Sequence, residues 1–193
     1  HIDFGEFDRL AAAPDAPALL VSAANVRSGE PTLFRAPELS VDAVIASAAV
    51  PRLFEAVEID GEYYWDGFLA QNPPLFEFAL GDGASAVDEI WVIRLTPETT
   101  DEVPRTSDGI QDRTQELVEN LSITHELRFV ERVNDLIASE GVADPSLSET
   151  TVRTIELHDE QADLSRLNRR STFIADLYAD GQAEATNFLQ ELD

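Results

Sequence analysis

Apolar positions along this chain fall into two periods, one suited to strands and one to helices. Phe4, Phe7 and Leu10 stand at helical spacing and predict an amphipathic helix over 3–13, broken by Pro14 and Pro17. The apolar run Ala18 to Ala24 reads as a buried strand and Thr32 to Arg35 as a second. Arg27-Ser28-Gly29-Glu30 between them is a turn, so the pair predicts a hairpin. Ser40 is a good N-cap for a helix over Val41 to Ala48, with Pro51 soon after its end. Val57–Ile59 and Tyr63–Trp65 flank Asp60-Gly61, a strong signal for a tight hairpin. Asp66 to Pro74 reads as a loop, set by Gly67, Asn72, Pro73 and Pro74.

A short helix over 75–80, closed by Gly81, and a buried strand over 88–95 are expected next. The polar, proline-bearing stretch 96–107 is a loop. From Ile110 to Ile137 the period is helical, with Leu117, Leu121, Val130, Val133 and Ile137 forming one apolar stripe closed by Asp144-Pro145. Thr151 to Leu157 is β-branched and strand-like. Ser171 is placed to cap a last helix in which Phe173, Leu177, Gly181, Ala185 and Phe188 share a face. No internal repeat is present. Strands alternating with helices predict an α/β layered fold.

Charge changes this picture more than any other property. The chain has 38 acidic residues against 13 basic, a net charge of −25, and every basic residue is Arg. Such a surface repels nucleic-acid phosphates and anionic membranes. In dilute buffer its self-repulsion opposes compaction, whereas molar salt shortens the Debye length to about 3 Å and screens it. The charges are interspersed among apolar residues rather than gathered in a tail, which points to a cytoplasmic protein of a salt-adapted (halophilic) organism. Cysteine is absent, which excludes disulfides, thiolate metal sites and cysteine nucleophiles. No apolar run reaches about 18 residues, so no membrane-spanning helix is expected. Methionine is also absent and the chain opens at His1, so further sequence is expected upstream.

The segment richest in chemistry is Ala46 to Pro74. A hairpin ends in Tyr63-Tyr64-Trp65, and the next residues are Asp66 and Gly67. A carboxylate at the mouth of an apolar strand is partly desolvated, which raises its pKa and makes it a better base. An Asp before Gly also caps turns by accepting from the backbone ahead of it. The residues alone leave both readings open. Tyr63, Tyr64 and Trp65 could likewise line an acyl pocket or simply fill a core.

Ala46-Ser47-Ala48-Ala49-Val50-Pro51, then Tyr64-Trp65-Asp66-Gly67, then Asn72-Pro73 resemble the second signature of the patatin-like phospholipase family. In that family a helix end of the form Ala-Ser-x-Ala-x-Pro is followed by a hairpin, Asp-Gly and a nearby Asn-x-Pro. This chain departs from the pattern at Phe68, where the family more often has a small residue. Val21 to Gly29 is similar to the strand and turn preceding the helix. Asn120-Leu121-Ser122 with Glu126 to Phe129, and Phe173 to Leu177, are similar to C-terminal segments of a prokaryotic subgroup.

The resemblance implies a three-layer α/β/α hydrolase fold. Residues 1–193 would be the C-terminal part of one such domain, with an extension from about 108. It implies a serine–aspartate dyad in which Asp66 is the base. Gly67, Asn72, Ser47 and Pro51 would support the site, and Tyr64, Trp65 and Phe68 would be candidates for the acyl pocket. The nucleophile would lie on a Gly-x-Ser-x-Gly turn after a glycine-rich oxyanion loop. Neither is present here: Ser85 lacks the second glycine and Ser47 belongs to the helix-end motif. Both are therefore expected in an N-terminal half that precedes this chain, which alone would be inactive. The implied partners are that half and a lipid or ester substrate, with peripheral membrane contact left open. No cofactor and no metal are implied.

His125 and His158 stand outside any ligand-spaced cluster and read as surface or capping residues rather than members of a Ser-His-Asp triad. With 38 acids in the chain, chance adjacency accounts for Asp101-Glu102 and Asp159-Glu160 better than a cation site does. The other functional reading is a patatin-like remnant without catalysis that binds lipid or a protein through an exposed apolar groove. The charge reading predicts that the melting temperature rises between about 0.1 M and about 1 M KCl, as the Debye length falls from about 10 Å to about 3 Å. A melting temperature that falls or stays level in that range would remove self-repulsion as the governing term.

Overall fold

A computed structural model describes residues 9, 13, 16–35, 39–76, 87–96, 98–140, 149–156 and 169–192. Most of the expected helix over 3–13 and of that over 75–80, and the segments holding Ser85, Asp144-Pro145 and His158 to Glu160, lie outside these residues. The chain is a mixed α/β structure of two compact units, His1–Leu75 with Ser122–Glu126, and Phe76–Leu121 with Leu127–Asp193.

The first unit holds a four-stranded antiparallel sheet in the order β2-β1-β4-β3. Its strands are β1 (Leu20–Asn25), β2 (Pro31–Arg35), β3 (Val57–Ile59) and β4 (Glu62–Asp66), with α1 (Val41–Ala46) between β2 and β3. Both predicted hairpins form. In the first, Asn25 Oδ1 accepts from the N–H groups of Arg27 and Ser28, and Gly29 takes φ +75. In the second, Asp60 and Gly61 have φ 54 and 83, the pair of positive values that a type I′ turn demands. Ser40 caps α1 as expected, its Oγ accepting from Ala43 N–H at 3.1 Å. The helix stops at Ala46, two residues before the expected end, and Ser47 and Ala48 form a turn.

Pairing fixes what each face carries, because directly opposed residues point the same way. Ala23, Tyr64 and Asp66 share one face, which packs on Ala46 with Phe34, Val57 and Ile59 around it. Phe34 meets the Tyr64 ring edge-on at 5.4 Å. Small residues at Ala23, Ala43 and Ala46, all fully buried, let the short helix lie close to the sheet.

The second unit is a β-α-β arrangement followed by a helix. β5 (Glu89–Arg94) and β6 (Thr151–Glu156) pair in parallel, joined through α2 (Ser107–Glu140), and α3 (Ser171–Glu191) follows. The expected buried strand over 88–95 is buried on one face only. Val92 and Arg94 are covered, whereas Trp91, Ile93 and Leu95 are 49%, 69% and 69% exposed. A continuous apolar run suggested burial on both sides, but among the described residues this sheet has only two strands, and alternation decides exposure.

The second half of the predicted α2 stripe holds, with Val130 buried and Val133 and Ile137 half-buried, but the first half is displaced. Leu117 and Leu121 are exposed, and the covered positions are Glu116, Asn120, Ile123 and Val130. Polar bonding decides the rotation of the first half. Arg94, 9% exposed, donates to Asn120 Oδ1 and Glu98 Oε2, both at 2.9 Å, and also pairs with Glu156. Arg113 pairs with Glu116 at 2.7 Å. A buried guanidinium needs these acceptors more than two leucines need cover. Ser171 is the first residue of α3 rather than its cap; Arg170 holds the cap position without a side-chain capping bond. Phe173, Leu177, Ala185 and Phe188 do share the half-buried face of α3, with Phe188 against Trp91 at 5.0 Å; Gly181 is exposed.

Arg153 donates to Glu89 across the two strands, and this bond holds the Glu89 carboxyl below its ordinary range. That pair is exposed, so solvent screening leaves it little weight in stability. Arg94→Ala removes a buried side chain together with its bonds to Asn120 and Glu98, with an expected cost of about 1–3 kcal/mol. Denaturant titration in high salt should therefore rank Arg94→Ala well below Arg153→Ala in stability.

Candidate active site

Asp66 is the last residue of β4, half-buried, opposite Ala23 of β1. Its backbone N–H donates to the carbonyl of Ala49 at 3.1 Å. That single bond joins the two halves of the sequence motif, the helix-end segment 46–51 and the Asp-Gly pair. Its side chain accepts from Phe68 N–H through Oδ1 at 3.2 Å, capping a 3₁₀ turn over Gly67–Leu69. The stretch read as a loop from Asp66 to Pro74 thus ends β4 and then makes a helical turn. The turn-capping reading of Asp66 describes what one carboxylate oxygen does, and the bond also fixes the side chain's direction.

Gly67 explains why this chain turns where it does. It is buried, and a Cβ there would lie 2.6 Å from the Ser22 carbonyl oxygen and 2.8 Å from Ser22 Oγ. Only a residue without a side chain lets the backbone after the acid pass over β1. Ser22 Oγ in turn donates to Gln71 O at 2.5 Å, and Ala70 and Gln71 N–H groups both point at Gly67 O. Gln71 Nε2 donates to Glu126 Oε1 at 3.0 Å, and Asn72 N–H donates to Ser122 Oγ at 2.9 Å. The Asn72–Pro73 peptide is cis, and Pro74 and Leu75 are buried behind it. The carboxylate therefore sits on a strand end whose following turn is tied down at several points.

The remaining predicted residues are placed as follows. Ser47 ends α1, donating its Oγ to Val44 O at 2.8 Å. Pro51 is half-buried in the turn that follows, next to Arg52 at φ 74. Asn72 is exposed. Tyr64 is in the core on the Asp66 face, whereas Trp65 points to the other face, and Phe68 is buried in the turn. Tyr64 and Trp65 thus do not share one lining. Tyr63 bonds Glu58 at the hairpin surface, which raises its hydroxyl pKa, with Arg27 over its ring at 5.3 Å. Sequence reasoning missed the parts played by Ser22, Ala49 and Gln71. The signal for Ser22 was a lone hydroxyl inside an apolar strand. The contribution of Ala49 is a backbone carbonyl, which no side-chain pattern announces.

Among the described residues no group of three or more His, Asp or Glu could hold a metal ion, and no helix is long and apolar enough to cross a membrane. Asp66 thus stands at the exit of a hairpin, held through backbone bonds and followed by a buried glycine that passes close to Ser22. Residues 1–79 match the family model Patatin-like phospholipase. The match takes in the whole sheet of the first unit and the Asp-Gly turn, and ends just after that unit's boundary at Leu75. No curated protein matches the chain.

Placing even a methyl group at Gly67 forces backbone to move. Gly67→Ala is expected to cost about 1–3 kcal/mol, the usual range for overpacking. Gly29→Ala and Gly61→Ala meet no neighbouring atom and are strained only through their positive φ. Chemical denaturation of the variants should show Gly67→Ala as the most harmful of the three.

Proposed function

We propose that the full protein is a lipid acyl hydrolase of the serine-esterase type, built on a three-layer α/β/α fold of which this chain is the C-terminal part. Asp66 is its base. The observation that carries the reading is the Ala49–Asp66 backbone bond, which brings both parts of the family signature to one point in the segment matched by the family model. The serine partner comes from a Gly-x-Ser-x-Gly turn in the N-terminal half, outside this chain. The salt-adapted charge pattern suits a cytoplasmic setting in a halophile.

In this mechanism the Asp66 carboxylate accepts the serine hydroxyl proton as the serine oxygen attacks the ester carbonyl. Electrons move onto the carbonyl oxygen, where backbone amides of the N-terminal half stabilise them. Collapse expels the alcohol, which takes the proton from Asp66 and leaves an acyl-serine. Water then gives its proton to Asp66 and attacks the acyl carbon. Departure of the serine oxygen, reprotonated by Asp66, releases the carboxylic acid. The role of Gly67 and the Phe68 N–H is to hold the carboxylate at the strand end through each transfer. Ser47 and Pro51 shape the helix end that presents Ala49 O, and Asn72 begins the turn's return.

Loss of a positioned general base costs about 10²–10⁴ in rate. In the complete protein, Asp66→Asn should keep its folded spectrum and lose esterase turnover by that factor. Turnover near wild type would sink the assignment of Asp66. The chain alone, folded in high salt, should take no fluorophosphonate adduct by intact mass. An adduct on one serine would show a nucleophile within these 193 residues and displace the proposed dyad.

A further inference from the structure

One turn of α2, Ser122–Glu126, belongs to the first unit, and it lies outside the residues matched by the family model. Ser122 and Glu126 stand four residues apart, so their side chains leave one face of the helix. Ile123 beside them is buried. That face meets the end of the turn that follows Asp66. Ser122 Oγ accepts from Asn72 N–H at 2.9 Å, and Glu126 Oε1 accepts from Gln71 Nε2 at 3.0 Å. These bonds span 50 and 55 positions of the chain. Two adjacent residues of the turn are thus held at two points of one element. A single bond would let the turn pivot, whereas two fix its direction as well as its distance. Both anchors lie well inside the 34-residue helix, away from ends that fray.

Gln71 carries this constraint towards the acid. Its N–H donates to Gly67 O at 2.9 Å, its carbonyl accepts from Ser22 Oγ, and its side chain reaches Glu126. Gly67 leads directly into Phe68, whose N–H holds Asp66 Oδ1 at 3.2 Å. The direction of the carboxylate follows that N–H, the N–H follows the 3₁₀ turn, and the turn follows Gln71. We propose that Ser122 and Glu126 are positioning residues for Asp66, acting on its carboxylate through Gln71, Asn72 and the turn over Gly67–Leu69. The inference rests on the reading of Asp66 as the base. It gives α2 a part in the reaction without contact with the reacting atoms. A base displaced by even about 1 Å loses much of its effect, so the helix that fixes the turn also sets the rate.

The test uses the complete protein in high salt, with a short-chain p-nitrophenyl ester as substrate. The pair Ser122→Ala and Glu126→Ala together should lower kcat by about tenfold to about a hundredfold and leave KM within about twofold. Each single variant, milder in its effect on folding, should show the same split to a smaller degree, so a pair that fails to fold leaves the test standing. Ser122→Thr and Glu126→Gln keep an oxygen acceptor at each place and should retain most of kcat. Added to Asp66→Asn, the two alanines should change the remaining turnover by less than about twofold, because residues that act through one another are not additive. Wild-type kcat in the folded alanine variants overturns the proposal. An equal fractional loss with and without Asp66 makes the pair structural only and overturns it too. A raised KM at constant kcat sets α2 against the substrate, which is likewise contrary to it. Failure of the base is a separate result: Asp66→Asn alone then turns over near wild type, and the positioning role falls with it.

Discussion

The close approach of Gly67 to Ser22 is the contact on which the rest of the site depends. Backbone cannot pass 2.6 Å from where a Cβ would stand unless that atom is missing. Because it is missing, the chain leaves β4 directly over β1 and turns at once, and Asp66 is left at the strand's lip with its Oδ1 bonded to Phe68 N–H. Ser22 then reaches Gln71, and Gln71 and Asn72 reach Glu126 and Ser122. A larger residue at 67 would break this series of bonds at its first member. The glycine is therefore required by geometry before any chemistry is assigned to the acid beside it.

The two readings of Asp66, turn cap and base, make compatible demands. A base must be held in one direction, and a carboxylate is most cheaply held through one oxygen by a backbone N–H. The position sets a donor on one side of the carboxylate and a face shared with Ala23 and Tyr64 on the other.

Much of the first unit was legible because its determinants are local. Asp60-Gly61 sets a type I′ turn through its own φ values, and Ser40 caps α1 through a bond three residues away. Asp66, Gly67, Ser47 and Pro51 were legible as a motif, although the reason Gly67 is required lay in Ser22, 45 positions earlier. What failed in the second unit was non-local. The stripe through Leu117 and Leu121 is good helical periodicity, but Arg94, from another element, bonds Asn120, and in this first half of the helix the covered positions are Glu116 and Asn120 instead. The apolar run of β5 promised burial on both faces, which depends on how many layers surround the strand. Tyr64 and Trp65 looked like one aromatic wall because they are adjacent, yet adjacency in a strand places side chains on opposite faces.

The charge of the chain sets a condition on all these contacts. At −25, every additional acid raises the energy of the compact state, yet Glu98, Glu116 and Glu156 converge on two arginines in the second unit. With only 13 basic residues for 38 acids, arginines are scarce, and Arg94 serves two carboxylates and an amide. Arg suits this duty better than Lys, because its planar fork offers several donors at fixed angles and is less strongly hydrated. The complete replacement of Lys by Arg then has a structural reason as well as a compositional one. A chain that carries few cations gains most from the side chain that satisfies several acceptors at once.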